Sequence, residues 1–284
     1  MTGLRVLEFM KAPCHQDIRM NTLPCTLGLV IFRIEPQQLP HMRRLSYLLA
    51  ASTLSLAASA QIHFTVDIQN NHLWRGMEVA DGCVALTNVN YTFARGHALI
   101  GLWGGGNTRG TYKEFNHYLS LRVGGFELSA WDTYNFSPGA AYNNHQYFNY
   151  SARQTGRFLN CTLNYTIPRP SSPLLLSWST ILFGRDRSAD NEHQKYSTFV
   201  YAEYPVYRKD GWRIDAGGGG AFALNRAGEK AHFYGDKPGF IHAQLKVSHD
   251  LHIGSYHIPL HATALWNPQA SKAYFQIGAQ VIHL

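Results

Sequence analysis

From residue 61 onward, apolar and polar positions alternate along most of the chain. Ile62, Phe64, Val66 and Ile68 are separated by His63, Thr65, Asp67 and Gln69. Leu119, Leu121 and Val123 alternate with Tyr118, Ser120 and Arg122. Leu159, Cys161, Leu163, Tyr165 and Ile167 alternate with Phe158, Asn160, Thr162, Asn164 and Thr166. Ile241, Ala243, Leu245 and Val247 stand between His242, Gln244, Lys246 and Ser248, and 255–267 and 273–283 repeat the pattern. Period 2 is the mark of a strand with two unlike faces. Such segments are predicted at 61–74, 82–94, 96–107, 114–123, 125–135 and 155–167, then at 173–184, 195–206, 211–223, 238–249, 255–267 and 273–283. The segment 82–94 changes phase near Thr87–Asn88, which predicts a bulge.

The connections alternate between short and long. Positions 94–97, 124–125, 169–172, 207–210 and 250–254 are short. The polar stretches 104–114, 136–154, 184–195 and 224–237 are longer, and 75–81 and 268–272 are modest. Transmembrane barrels connect their strands this way, with short turns on one membrane side and long loops on the other. Strands of 9–11 residues suit a tilted crossing. The prediction is an all-β, closed antiparallel up-and-down transmembrane barrel of about twelve strands, with both termini on the periplasmic side. The rival is a soluble sandwich or soluble barrel, but its strands run shorter, at about 5–6 residues.

A membrane barrel turns its polar face inward. The lumen-lining candidates are Asp67, Arg122, Glu203, Arg213, Asp215, His242 and Lys246. Aromatics near the segment ends suit interfacial girdles: Trp74, Trp103, Trp131, Tyr165, Trp212 and Trp266 are the candidates. In the long loops, Tyr142, Tyr147, Phe148, Phe233 and Tyr234 are candidates for surface recognition.

The start of the chain fits secretion. "MRRLSYLLAASTLSLAASAQ", from Met42, has Arg43 and Arg44, an uncharged Leu/Ala run, and Ala58-Ser59-Ala60 before Gln61. That is the order of a signal peptide cleaved between Ala60 and Gln61 for Sec export. The expected organisation is an extension at 1–41, with translation starting at Met42, then a leader at 42–60 and the barrel at 61–284. The barrel region carries 19 basic and 15 acidic residues, too mild a balance to predict nucleic-acid binding. It holds Cys83 and Cys161 alone, which does not make a cysteine-stapled scaffold. The segment from Gln276 to Val281 resembles an outer-membrane insertion signal, although the chain ends on Ile282-His283-Leu284 without the usual final aromatic.

Three stretches carry a family likeness: "NNHLWRGMEVADGCVAL" at 70–86, "FNYSARQTGRFLNCTLNY" at 148–165 and "NPQASKAYFQIGAQV" at 267–281. In order and spacing they resemble the TorF-type (gcw_chp-like) outer-membrane β-barrel proteins of uncharacterised function. The resemblance implies the barrel and a bacterial outer-membrane location, and implies no catalytic residues.

No catalytic or metal-binding pattern is evident. His257 and His261 share a strand face but stand roughly 13 Å apart at about 3.3 Å per residue, too far for one ion. Gly217–Gly220 lies inside a strand pattern with no Gly-Lys-Ser/Thr after it, so a phosphate loop is not expected. Ser120 and His117 fall on opposite faces. The leading expectation is a non-enzymatic narrow channel for small polar or weakly anionic solutes, with no cofactor and no metal. Its partners would be outer-membrane lipid, the insertion machinery, and small solutes or surface ligands. A plugged structural or adhesin-like barrel is the alternative, and an outer-membrane lipid hydrolase the more distant one.

Overall fold

The computed structural model describes residues 61–168, 173–225 and 229–284. The expected extension at 1–41, the leader at 42–60 and Ala60 lie outside the described residues. Twelve antiparallel strands close into a barrel. In chain order they are β1 (Gln61–Gln69), β4 (Val84–Phe93), β5 (Ala98–Asn107), β6 (Lys113–Val123), β7 (Phe126–Asn135) and β8 (Phe158–Ile167), then β9 (Leu174–Gly184), β10 (Ser197–Lys209), β11 (Trp212–Ala223), β12 (Gly239–Ile253), β13 (Tyr256–Asn267) and β14 (Lys272–His283). Closure comes from β1 pairing with β14, with Asp67 opposite Gln280 and Gln69 opposite Gly278. Two further strands, β2 (His72–Trp74) and β3 (Met77–Ala80), form a separate two-stranded sheet.

The register places most of the apolar members of the alternations on the outer wall; Val84, Leu86, Ile241 and Leu265 are buried instead. Ile100, Leu102, Leu119, Leu128, Leu163, Leu245, Phe275 and Ile277, on β5 to β8, β12 and β14, are each at least two-fifths exposed. An apolar belt of that extent is unusual on a water-facing protein. The inner wall carries the polar members, with glycines among them. Gly217 and Gly219 point inward opposite Glu203 and Tyr201, and a Cβ on either would lie 2.1 Å from Tyr201 Oη or 2.6 Å from Phe199 Cζ. The glycine run therefore makes room for the inward rings of β10.

Two expectations about strands are corrected. The run 61–74 is not one strand: β1 ends at Gln69, and His72–Trp74 turns back on β3. Arg75 (φ 47°) and Gly76 (φ 82°) make that turn in the left-handed region, which ends the extended chain. The predicted bulge at Thr87–Asn88 is absent, because β4 runs in unbroken register with both β1 and β5. Bulges fall instead at Val66/Asp67, Leu159/Asn160, Pro205/Tyr207 and Gly219/Gly220.

Candidate functional site

The loop residues 70–83, 136–157, 185–196, 224–225 and 229–238 gather at one end of the barrel, and those at 70–83 and 229–238 fold into its mouth. The β2–β3 hairpin crosses the lumen. At its base, Asn70 and Asn71 donate side-chain amides to Phe275 O at 3.0 and 3.3 Å. At its tip, Gly76 O accepts from Asn267 Nδ2 at 3.0 Å, and a Cβ on Gly76 would lie 2.1 Å from Ile241 O. On the far wall, Arg75 Nη1 donates to Asn160 Oδ1 at 2.9 Å and to Tyr234 Oη at 2.5 Å, and Nη2 lies 3.4 Å from Thr162 Oγ1. The guanidinium also stacks 4.7 Å from the Trp74 ring. Trp74 in turn packs on Phe158, Phe233 and Tyr234 at ring separations of 5.4–6.0 Å.

Beside the hairpin lies a cavity of about 650 Å³, bounded by β5 to β8 and roofed by the stretch 137–142. Trp74, Trp103 and Trp131 give it apolar walls, and Asn116, Asn135 and Asn160 line it with amides. Four charged residues face it: Arg75, Glu78, Glu114 and Arg185. Glu114 accepts from Asn116 at 2.8 Å and from Asn135 at 3.2 Å. Glu78 accepts from Asn71 at 2.8 Å. The Arg185 guanidinium lies 3.7 Å over the Tyr142 ring, and its buried Nε has no hydrogen-bond partner. Burial pulls the Arg185 pKa below the ordinary arginine value, as desolvation of a cation does. His72, on the hairpin and outside the barrel strands, is pulled down to about 4 by burial. It is therefore neutral at pH 7.

A second inner cavity, of about 380 Å³, lies nearer the short-turn end. Asp67, Lys246, His261, Gln276 and Gln280 are among its lining residues. Elsewhere on the inner face the expected lumen residues form local pairs. Arg213 Nε bonds Asp215 at 2.7 Å, with Glu203 at 3.7 Å from Nη2. Glu203 also accepts from Tyr201 at 2.8 Å and Gln244 at 3.0 Å. His242 and Gln244 share a hydrogen bond of 3.0 Å. Arg122 pairs with Glu127 at 2.8 Å. Lys246 stands opposite Asp215 in the register.

The girdle residues divide. Trp212 and Trp266 face outward, 48% and 54% exposed. Tyr165 also faces outward, stacked on Phe126 at 4.3 Å. Three expectations are corrected: Trp74 belongs to the plug, and Trp103 and Trp131 face inward. The latter two share the parity of Asn116 and Thr133, and Trp131 stacks on Tyr118 at 4.0 Å.

The loop aromatics divide as well. Phe148 is 85% exposed. Tyr142 roofs the cavity. Tyr147 folds down the outer wall onto Tyr134 at 5.3 Å. Phe233 and Tyr234, expected at the surface, are packed into the mouth, with Tyr234 5% exposed, because Trp74, Phe158 and Phe199 offer them an apolar seat. The sequence reading missed Arg75 as a tether and missed Arg185 and Glu114 entirely. The Trp-Arg-Gly motif was the available signal for Arg75.

One polar cluster sits on the outer wall. Asp132 accepts from Arg157 at 2.8 Å and from Tyr150 at 2.8 Å, and lies 3.0 Å from His117 Nε2. Arg157 is 1% exposed, enclosed by Tyr134, Tyr147 and Tyr150. Ser120 is buried on the inner face, away from His117. The arrangement holds the loop 136–157 to the wall.

No family model matches the chain, and no curated protein matches it in sequence, so the TorF-type likeness remains a resemblance of motifs. Among solved structures, similar chains include an outer-membrane channel of Pseudomonas putida F1, with 12% identity, 77% of this chain and 93% of the other covered, and a TM-score of 0.37. OccK5 (OpdH) of Pseudomonas aeruginosa aligns at 11% identity over 78% of this chain and 67% of its own, with a TM-score of 0.33. The translocator domain of the autotransporter NalP from Neisseria meningitidis aligns at 9% identity over 84% and 94%, with a TM-score of 0.31. At these scores nothing about activity passes from them to this chain.

Proposed function

We propose that this chain sits in the bacterial outer membrane as a narrow, non-enzymatic channel for small polar solutes, held closed at its long-loop mouth by the β2–β3 hairpin. The belt of exposed apolar side chains supports the membrane seat, since lipid is the solvent that such a surface fits. One observation carries the channel reading: the hairpin is not part of the barrel sheet. It is held by side-chain hydrogen bonds and packing, so it can leave without breaking a barrel ladder. Cavities lie beside it and below it, and the inner walls are polar.

A permanent plug is the second reading, favoured by the packing of Trp74 against Phe158, Phe233 and Tyr234. Planar-bilayer recordings decide between them. Replacing 70–81 with a short Gly/Ser linker is expected to convert a mostly silent barrel into one with steady conductance. A folded deletion variant that stays silent would reject the channel.

A further inference from the structure

The mouth cavity holds charges of both signs, and no ion pair closes between them. Arg75 donates only to neutral groups: Asn160, Thr162 and Tyr234. Glu78 accepts from Asn71, and Glu114 from Asn116 and Asn135. Arg185 rests on Tyr142 with its Nε unpartnered. Among the described residues, no ion pair joins any two of these four. Elsewhere on the inner wall the same residue types do pair, as Arg213 does with Asp215 and Arg122 with Glu127. Buried charges normally pair because desolvation is costly. Here amide side chains hold the acids in place and a tyrosine ring holds the cation, so both signs face the cavity.

We propose that this cavity binds a small zwitterion with an apolar body, of the free amino acid or dipeptide class, its carboxylate on Arg185 and its ammonium on Glu114. A simple anion would meet Glu78 and Glu114, and a simple cation would meet Arg75 and Arg185. A neutral polyol would leave the Arg185 cation without an anion. The indoles of Trp74, Trp103 and Trp131 seat the apolar body. The volume of about 650 Å³ falls in the usual range for small-ligand sites. The role of the site as a stop on a transport route rests on the channel reading, but binding itself does not require conduction.

Tryptophan fluorescence of the refolded barrel in detergent tests it, with leucyl-leucine, its C-terminal amide and its N-acetyl derivative as probes. The free dipeptide is expected to give a saturable change, and each capped form to bind at least about tenfold more weakly, roughly 1.4 kcal/mol. Arg185→Gln should abolish discrimination against the amide, and Glu114→Gln discrimination against the N-acetyl form. If the N-acetyl form binds wild-type protein as tightly as the free dipeptide, the zwitterion site is wrong. The same holds if the free dipeptide fails to saturate protein whose heat-modifiable migration shows it folded. Those wild-type comparisons do not depend on either variant folding. Conduction without binding would overturn this proposal and leave the channel standing. Binding to a barrel that stays silent without its hairpin would do the reverse.

Discussion

Arg75→Ala removes the hairpin's link to the far wall while leaving its base and tip contacts in place. The wild-type guanidinium makes two well-formed hydrogen bonds, to Asn160 at 2.9 Å and to Tyr234 at 2.5 Å. Each bond to a charged group contributes about 1.5–3 kcal/mol. The Thr162 contact at 3.4 Å is at the weak limit of hydrogen-bond geometry. Stacking on Trp74 at 4.7 Å adds about 0.5–1 kcal/mol. Water entering the mouth would satisfy Asn160 and Tyr234 again, returning part of that energy, and the net loss comes to about 2–4 kcal/mol. At about 1.4 kcal/mol per tenfold, the population with the hairpin withdrawn rises roughly 30- to 1,000-fold.

Single-channel recording reads this as open probability, with heat-modifiable migration as the check on folding. Arg75→Lys keeps the charge but has no planar fork to serve Asn160 and Tyr234 together, so it should fall between wild type and alanine. The reasoning fails if Arg75→Ala gates like wild type while the hairpin deletion conducts. Packing of Trp74, and not the arginine, would then hold the plug.

Three further outcomes follow from the same geometry. Leu102→Arg places a charge on the outer wall midway along β5, where the leucine is 48% exposed. In lipid it should cost about 2–4 kcal/mol in urea titrations of the liposome-inserted barrel, whereas on a water-facing wall it would change almost nothing. Gly219→Val puts a Cβ 2.6 Å from Phe199 Cζ and 2.8 Å from Val200 O, and the overpacking should lower stability by about 1–3 kcal/mol in the same titration. Acid should release the hairpin. Seated, His72 titrates at about 4 instead of its ordinary 6.5, so the withdrawn state binds more protons, and the seated state loses up to about 3 kcal/mol as pH falls from 6.5 to 4. Open probability should rise over that window, and His72→Gln should flatten the rise.

The barrel itself was legible because period-2 alternation is a local property that survives translation into a sheet. Leu119, Leu121 and Val123 reach the outer wall as their spacing predicts. The inward faces of Trp103 and Trp131 were written in the same code: Leu102 and Leu128, of opposite parity, are the outward ones. The girdle expectation used nearness to a strand end where parity carried the better information. The hairpin was hidden for a different reason. His72-Leu73-Trp74 follows β1 with no glycine or proline between them, and the break is carried by Asn70-Asn71 before it and by Arg75-Gly76 after it, a turn whose positive φ angles the sequence hints at through one glycine.

The candidate site was legible only in its parts. Loop residues such as Phe233 and Tyr234 have no period, so nothing local distinguishes an aromatic that meets solvent from one that folds into the mouth. Arg185 shows the limit most sharply. As a sequence position it is one arginine between a glycine and an aspartate, and the natural expectation is a pair with Asp186. In the fold Asp186 instead accepts from Ser197 N at 2.8 Å and Ser197 Oγ at 2.7 Å. With those bonds made, the neighbouring carboxylate serves the start of β10. The guanidinium is left over Tyr142, facing a cavity whose acids are held by asparagines. The site's character comes from which partners are already taken, and that is settled across strands and loops far apart in the chain, beyond the reach of any local pattern.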